Sequence, residues 1–122
     1  MPISELNHLK YTDISRVLGL LKNRRNKEAL HHSLDLVEKY PTSEAVIQLL
    51  SKVHIAMGDY QSAIEQYSKL ANREPLNSTT LKTLGAMYLK NEQPQNAIST
   101  YQKILQFAPN DAETHYKIGN AY

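Results

Sequence analysis

The sequence contains no cysteine and no tryptophan, one phenylalanine and four glycines among its 122 residues. Without cysteine the chain can form no disulfide and can use no thiolate as a nucleophile or a metal ligand. No apolar run approaches the ~20 residues that a membrane-spanning helix needs. The start of the chain also lacks the basic residues and the apolar core of a signal peptide. We therefore expect a cytoplasmic protein with no membrane partner.

The sequence also lacks a large excess of either positive or negative charge. The chain has 14 lysines and arginines against 12 aspartates and glutamates, which gives a net charge of +2 with the histidines neutral. So small an excess gives no basis for binding nucleic acid or an acidic membrane surface. The hydrophobic fraction of 41% and the charged fraction of 21% are ordinary for a globular protein. We predict one domain with its own core and no nucleic-acid partner.

The sequence does contain an internal repeat. Three prolines, Pro41, Pro75 and Pro109, lie 34 residues apart. Other positions keep the same step: Ala29, Ala63 and Ala97; Leu30, Ile64 and Ile98; Leu50, Leu84 and Ile118; His54, Tyr88 and Tyr122. A fixed period of this length is typical of stacked helical repeats.

Each period contains the pattern of two helices. In the first, the inward positions follow the spacing i, i+3, i+4 and i+7 of one helical face: Ile47, Leu50, Ser51 and His54. Gly58 ends that helix, and Pro75 ends the one that follows. Small residues recur in mid-helix, at Ser51, Gly85 and Gly119. We expect Ala63 and Ala97 to lie opposite them, so that two antiparallel helices approach closely.

The pattern resembles the tetratricopeptide repeat (TPR) family, whose motif is large-x-x-Leu-Gly-x-x-Tyr, then Ala-x-x-x-Phe, then Pro. One unit follows it almost throughout, at Leu81, Leu84, Gly85, Tyr88, Ala97, Tyr101 and Pro109. The preceding unit departs from it at Ser51 and His54. The resemblance implies an all-α fold, an α-α superhelix or TPR solenoid of antiparallel helix pairs.

The period also divides the chain. We predict an N-terminal tail or short helix at residues 1–10, a degenerate TPR-like pair at 11–43, and TPR units at 44–77 and 78–111. Residues 112–122 are then the first helix of a further repeat or a capping helix, and their apolar residues favour the further repeat. In the degenerate pair, the stripe of Ile14, Val17, Leu18 and Leu21 lies one residue out of the proline register. We therefore predict a turn one residue shorter near residues 23–26.

The resemblance implies that the first helix of each pair lines a concave face that binds peptides. With the buried stripe turned inward, the free face lies about 80–160° away around the helix. The predicted peptide-binding residues are Gln48, Lys52, Ile55, Lys82, Ala86, Leu89, Lys90, Tyr116 and Asn120. Their counterparts in the degenerate pair are Thr12, Ser15, Gly19 and Lys22. This mixture suits an extended or helical peptide with acidic residues or a free carboxylate; alternatively, the lysines only keep the surface soluble.

Some family members hold the C-terminal carboxylate of chaperones with a set of Lys, Asn, Asn, Lys and Arg. The corresponding positions here carry Gln48, Lys52, Thr83, Glu113 and Lys117. Because only Lys117 keeps its charge, we predict no binding of chaperone tails.

No group of residues has the composition of an active site. His31 and His32 are neighbours, but adjacent helical residues point about 100° apart, and no clustered carboxylate completes a metal site. His54 stands where the other repeats have tyrosine, so we expect a packed ring. The basic run at residues 22–27 is expected to be a solvated turn, with contact to phosphate or an acidic partner as the alternative.

We therefore predict a protein-interaction scaffold or adaptor, with no catalytic residue, metal or cofactor. One alternative is an N-terminal module that recruits substrate for a larger enzyme, such as a transferase. Another is a self-associating element that forms a homo-oligomer through the helix at 112–122.

Overall fold

The computed structural model describes residues 11–122, so the predicted tail or short helix at 1–10 lies outside it. Within that range the chain forms seven α-helices and no strand. They are α1 (Tyr11–Lys22), α2 (Asn26–Lys39), α3 (Glu44–Ala56), α4 (Tyr60–Arg73), α5 (Ser78–Lys90), α6 (Pro94–Phe107) and α7 (Ala112–Ala121). The all-α prediction is confirmed. Among the described residues, no helix is both long and apolar enough to cross a membrane.

The turns inside the helix pairs keep the 34-residue period. Each contains one residue with a positive φ, at Arg24 (62°), Gly58 (76°) and Glu92 (59°). A residue in the left-handed backbone conformation at this place lets the chain reverse direction. Glycine adopts this conformation without strain, whereas for arginine and glutamate it costs about 1 kcal/mol. Since these residues are 34 apart, the turn before α2 has the same length as the other two. The prediction of a shorter turn near residues 23–26 was wrong.

The unchanged turn alters which side of α1 is buried. Val17 is fully buried, at the place that Ser51 and Gly85 occupy in the later repeats. Leu18, predicted to face inward, is 41% exposed. The apolar stripe of α1 therefore lies partly in the core, at Val17, and partly at the surface, at Leu18.

Side-chain caps also recur with the period. Ser43, Asn77 and Asp111 each precede a helix and accept a hydrogen bond from the backbone N–H three residues later. The three distances are 3.3, 3.1 and 3.0 Å. Each cap satisfies one of the N–H groups that a helix start leaves unpaired. The first helix of each of these pairs therefore begins at a fixed residue.

The chain divides into two compact units, one ending at Asp59 and the other beginning at Tyr60. In the first, α1, α2 and α3 pack around a core of Val17, Ala29, Leu36, Val46, Leu49 and Val53. In the second, α5 packs against α4 and α6, and α7 packs against α6. The division into repeats at 11–43, 44–77, 78–111 and 112–122 stays a prediction.

Gly85 shows how closely the helices approach in the second unit. A Cβ atom added there would overlap the ring of Tyr101, a residue with no exposed surface. We expected Ala97 to lie opposite Gly85. The closest contact of the glycine is instead the aromatic ring of Tyr101, which fills the space over it. Gly119 has nothing within 4 Å of the equivalent position.

Candidate functional site

A cavity of about 160 Å³ lies between α1 and α3. We call it the α1–α3 slot, and it is lined by Ile14, Leu18, Ala45, Gln48, Leu49 and Lys52. Leu49 belongs to the core and is 2% exposed, whereas Leu18 is partly open to solvent. The slot therefore has an apolar floor with two polar residues of α3 at its rim.

The spacing of residues on the two helices explains this arrangement. Ile14 and Leu18 are four residues apart on α1, so they lie on one face. The α3 residues, Ala45, Gln48, Leu49 and Lys52, follow the spacing i, i+3, i+4 and i+7. Two predicted binding residues, Gln48 and Lys52, are thus brought to one site.

The contribution of α1 differs from the prediction. We expected Thr12, Ser15, Gly19 and Lys22 as the counterparts of the α3 residues, but Ile14 and Leu18 line the slot. The reason is the turn at Arg24, which keeps α1 in the common register and shifts the free face by one residue. In this register Ile14 corresponds to Gln48, and Leu18 corresponds to Lys52.

The two polar residues of the slot differ in how they are bonded. The Nε2 of Gln48 donates a hydrogen bond to Oε1 of Glu44, at 3.2 Å. Lys52 is exposed, and no carboxylate between residues 11 and 122 lies within ion-pair distance of it. The slot therefore presents a cation whose charge is not compensated within the described chain. Ile55 lies one turn further along α3 and is half-buried.

Lys82, in the second unit, has a different environment. Its Nζ lies 3.2 Å from Oδ2 of Asp111 and 3.0 Å from Oε2 of Glu113. Hydrogen bonds to Glu113 and then to Asp111 raise the pKa of Lys82. The pKa of Asp111 is lowered, first by the backbone N–H of Thr114 and then by Lys82. The lysine charge is thus shared between two carboxylates at the start of α7.

The remaining predicted residues are spread over α5 and α7. Ala86 and Leu89 are half-buried on α5, and Lys90 is exposed at its end. Tyr116, which is 69% exposed, and Asn120 lie on the exposed side of α7. Their role in binding stays a prediction.

The histidines do not form a cluster. The ring of His54 is mostly buried, with its Nδ1 3.6 Å from Oδ2 of Asp59, which agrees with the expectation of a packed ring. His31 lies on the surface, 3.6 Å from Asp35. No group of three or more histidines and carboxylates that could hold a metal ion occurs in the part of the chain described.

Comparisons with known proteins agree with the fold. The sequence profile of a family described as "Psidin, N-terminal TPR repeats region" matches residues 14–122. No curated protein shows significant similarity to the sequence.

Among solved structures, a MamA structure of AMB-1 is 18% identical with a TM-score of 0.71, covering 90% of this chain and 60% of its own. The Yersinia enterocolitica type III secretion chaperone SycD, in complex with a peptide of the translocator YopD, is 15% identical with a TM-score of 0.71. That match covers 90% of this chain and 89% of SycD.

The first TPR of Spaghetti (RPAP3), bound to the HSP90 peptide SRMEEVD, is 12% identical with a TM-score of 0.69, covering 90% of this chain and 87% of its own. At these identities the likeness concerns the fold alone. The chain spans less than two thirds of the length of the MamA structure. From the repeat, the helix pairs and the profile match, the chain belongs to the tetratricopeptide repeat proteins, in the family of Psidin N-terminal TPR repeats.

Proposed function

We propose that this chain is a peptide-binding module that acts as a protein-interaction scaffold in the cytoplasm, and that the α1–α3 slot receives part of the partner. One observation carries the proposal: an apolar slot with a lysine at its rim that no carboxylate of residues 11–122 compensates. The proposal gives the chain a binding role and no catalysis of its own. The alternatives, a recruiting module of a larger enzyme and self-association through residues 112–122, stay predictions.

The size of the slot indicates the kind of ligand. Pockets for small molecules usually measure about 300–1,000 Å³, whereas this one measures about 160 Å³. It suits a single apolar side chain better than a whole cofactor. A peptide that places such a side chain against Leu18 and Leu49 would bury apolar surface from both partners.

Lys52 indicates the chemistry next to that side chain. An ammonium group that no carboxylate of residues 11–122 pairs with favours a carboxylate of the ligand, and a charge-assisted hydrogen bond of this kind is stronger than a neutral one. Because the lysine lies at the rim, we expect it to contribute at most about 1 kcal/mol directly, and to act more on specificity and on the association rate. The expected ligand is an apolar residue with an acidic neighbour.

Similar structures support the general function. The RPAP3 and SycD structures both contain a bound peptide. A chaperone tail remains an unsuitable ligand, because Thr83 and Glu113 stand where the tail-binding set has Asn and Lys. Glu113 in addition already lies against Lys82.

The experiment is a selection from a displayed library of random peptides, followed by affinity measurements on the enriched sequences. We expect enrichment of an apolar residue beside aspartate or glutamate. Leu18→Glu should weaken the binding of these peptides by about tenfold or more. The substitution places a polar group in the apolar slot, and its negative charge repels the acidic residue of the peptide. Lys52→Glu should weaken them by about two- to fivefold.

Lys69→Glu is the matched control, because it makes the same charge change at an exposed site on α4 outside the slot. It should leave the affinity unchanged. Equal affinity of the wild type and of a folded Leu18→Glu variant for the selected peptides would refute the assignment of the slot.

A further inference from the structure

A larger cavity lies in the same unit, at the turn that connects α1 and α2. It measures about 570 Å³ and is lined by Arg24, Arg25, Asn26, Lys27, Glu28, Ala56 and Met57. The first five come from the turn and the start of α2, and the last two from the end of α3. We call it the basic-turn cavity, and it shares no lining residue with the α1–α3 slot.

Most of its cations are not compensated by a carboxylate among residues 11–122. Arg25 is paired, with its Nε 2.8 Å from Oε1 of Glu28. Arg24 and Lys27 have no carboxylate within ion-pair distance among residues 11–122, and the same holds for Lys22 before the turn. This edge of the unit is therefore strongly positive, although the net charge of the whole chain is small.

Hydrogen bonds to the end of α1 hold the turn in place. The N–H of Arg24 donates to the carbonyl of Leu21 at 3.0 Å, and the N–H of Arg25 donates to the carbonyl of Leu20 at 2.8 Å. Asn26 reaches across to the carbonyl of Ala56, at 3.5 Å. The backbone that carries the cations is thus positioned before any ligand arrives, which lowers the entropy cost of binding.

The floor of the cavity is apolar. Met57 is 42% exposed and Ala56 is also exposed, so α3 presents aliphatic surface between the charges. Methionine adapts its shape readily to an apolar partner. None of the described residues that line the cavity is aromatic, whereas proteins that bind single-stranded nucleic acid usually stack bases on such rings.

We propose that the basic-turn cavity is a second docking site, whose ligand is an acidic peptide segment with an apolar side chain between its carboxylates. The carboxylates pair with Arg24 and Lys27, and the apolar side chain packs on Met57. Charge complementarity selects this ligand, and the apolar floor favours it over a phosphate or an RNA. The cavity is wide and open to solvent, which suits a peptide segment that lies across it.

The test uses a short fluorescent peptide with one leucine flanked on both sides by aspartates, titrated with the chain at low salt. The key variant is Arg24→Gly with Lys27→Gln. Glycine removes the cation and also suits the positive φ, as Gly58 does at the equivalent position, so the variant should remain folded. We expect the affinity to fall by about tenfold and to depend less on salt than in the wild type.

Four controls separate this site from the slot and from charge in general. Lys69→Gln, on α4, should leave the peptide affinity unchanged. Leu18→Glu should remove only the binding that the slot contributes, so that Arg24→Gly with Lys27→Gln still lowers the remaining affinity by about tenfold in that background. A peptide with asparagines in place of the aspartates should bind at least about tenfold more weakly. Met57→Ser should weaken the leucine peptide more than a matched peptide with glycine in place of leucine.

Failure of the wild type to bind the aspartate peptide would overturn the proposal, as would a double variant with unchanged affinity. Tighter binding of a single-stranded oligouridine than of the peptide would overturn it in favour of a nucleic-acid site. Loss of binding in Leu18→Glu alone would place the peptide in the slot instead.

Discussion

Gly85→Ala tests the packing of the second unit, because the added methyl group has no space. The new Cβ would overlap the ring of Tyr101, which is fully buried and therefore has no solvent to move into. Inserting one carbon into a packed core costs about 1–3 kcal/mol. Replacing glycine by alanine inside a helix returns about 1 kcal/mol through propensity. Because the overlap falls on a buried ring, the cost lies in the upper part of that range, at about 2–3 kcal/mol, and we expect a net loss of about 1–2 kcal/mol in the free energy of unfolding.

Gly19→Ala is the matched control. Gly19 also lies inside a helix, but a Cβ added there has nothing within 4 Å. The propensity gain then acts alone, and the variant should be about 1 kcal/mol more stable than the wild type.

Urea unfolding followed by circular dichroism at 222 nm would measure both changes, together with the midpoint of thermal unfolding. The two alanine variants should shift the midpoint in opposite directions. In the background Tyr101→Leu, the cost of Gly85→Ala should fall, because the smaller side chain leaves room for the methyl group. A Gly85→Ala variant as stable as Gly19→Ala would refute the close contact between Gly85 and Tyr101.

Three further predictions follow from the polar contacts. Below about pH 4 the free energy of unfolding should fall as Asp111 is protonated. Because folding lowers the pKa of Asp111, the ionised carboxylate stabilises the fold at pH values above its unfolded-state pKa, and this contribution is lost as the pH drops through the folded-state pKa. Lys82→Gln should make the loss of stability at low pH smaller in pH-dependent urea titrations. Tyr101→Phe should stabilise the fold by about 1 kcal/mol in the same assay, because the hydroxyl is buried without a hydrogen-bond partner in residues 11–122; a loss of stability would contradict this. Asn77→Ala should cost about 1 kcal/mol through loss of the cap on Thr80, and Asn77→Ser should restore most of it, since serine can accept from the same N–H and, unlike aspartate, places no second carboxylate beside Glu74; equal stability of both variants would show that the cap contributes nothing.

The repeat predicted the helix pairs because its signals are local. Prolines, mid-helix small residues and helical spacing act within a few residues of one another. The turn register could have been read from the same period, since Arg24 lies 34 residues before Gly58. The apolar stripe of α1 favoured a shorter turn instead. That interpretation placed the free face of α1 one residue away from its position in the structure.

Two features of the candidate site depend on tertiary packing and had no local signal. Lys82 appeared as a free groove lysine, but Asp111 and Glu113 approach it from about one repeat further along the chain. Leu18 appeared as a core residue, and its partial exposure follows from how α1 packs on α3. Periodicity identifies the buried face of a helix to within one residue. The packing of neighbouring helices determines which residues at the edge of that face are exposed.

We propose that the α1–α3 slot binds an apolar residue with an acidic neighbour. The most direct measurement is an NMR titration of the chain, labelled at the methyl groups of isoleucine and leucine, with a peptide enriched from the library. We expect the largest shifts at Ile14, Leu18 and Leu49, and we expect Leu18→Glu to abolish the remaining ones. Saturable binding with its largest shifts at Leu84, Leu89 and Ile118, and none in the slot, would contradict it.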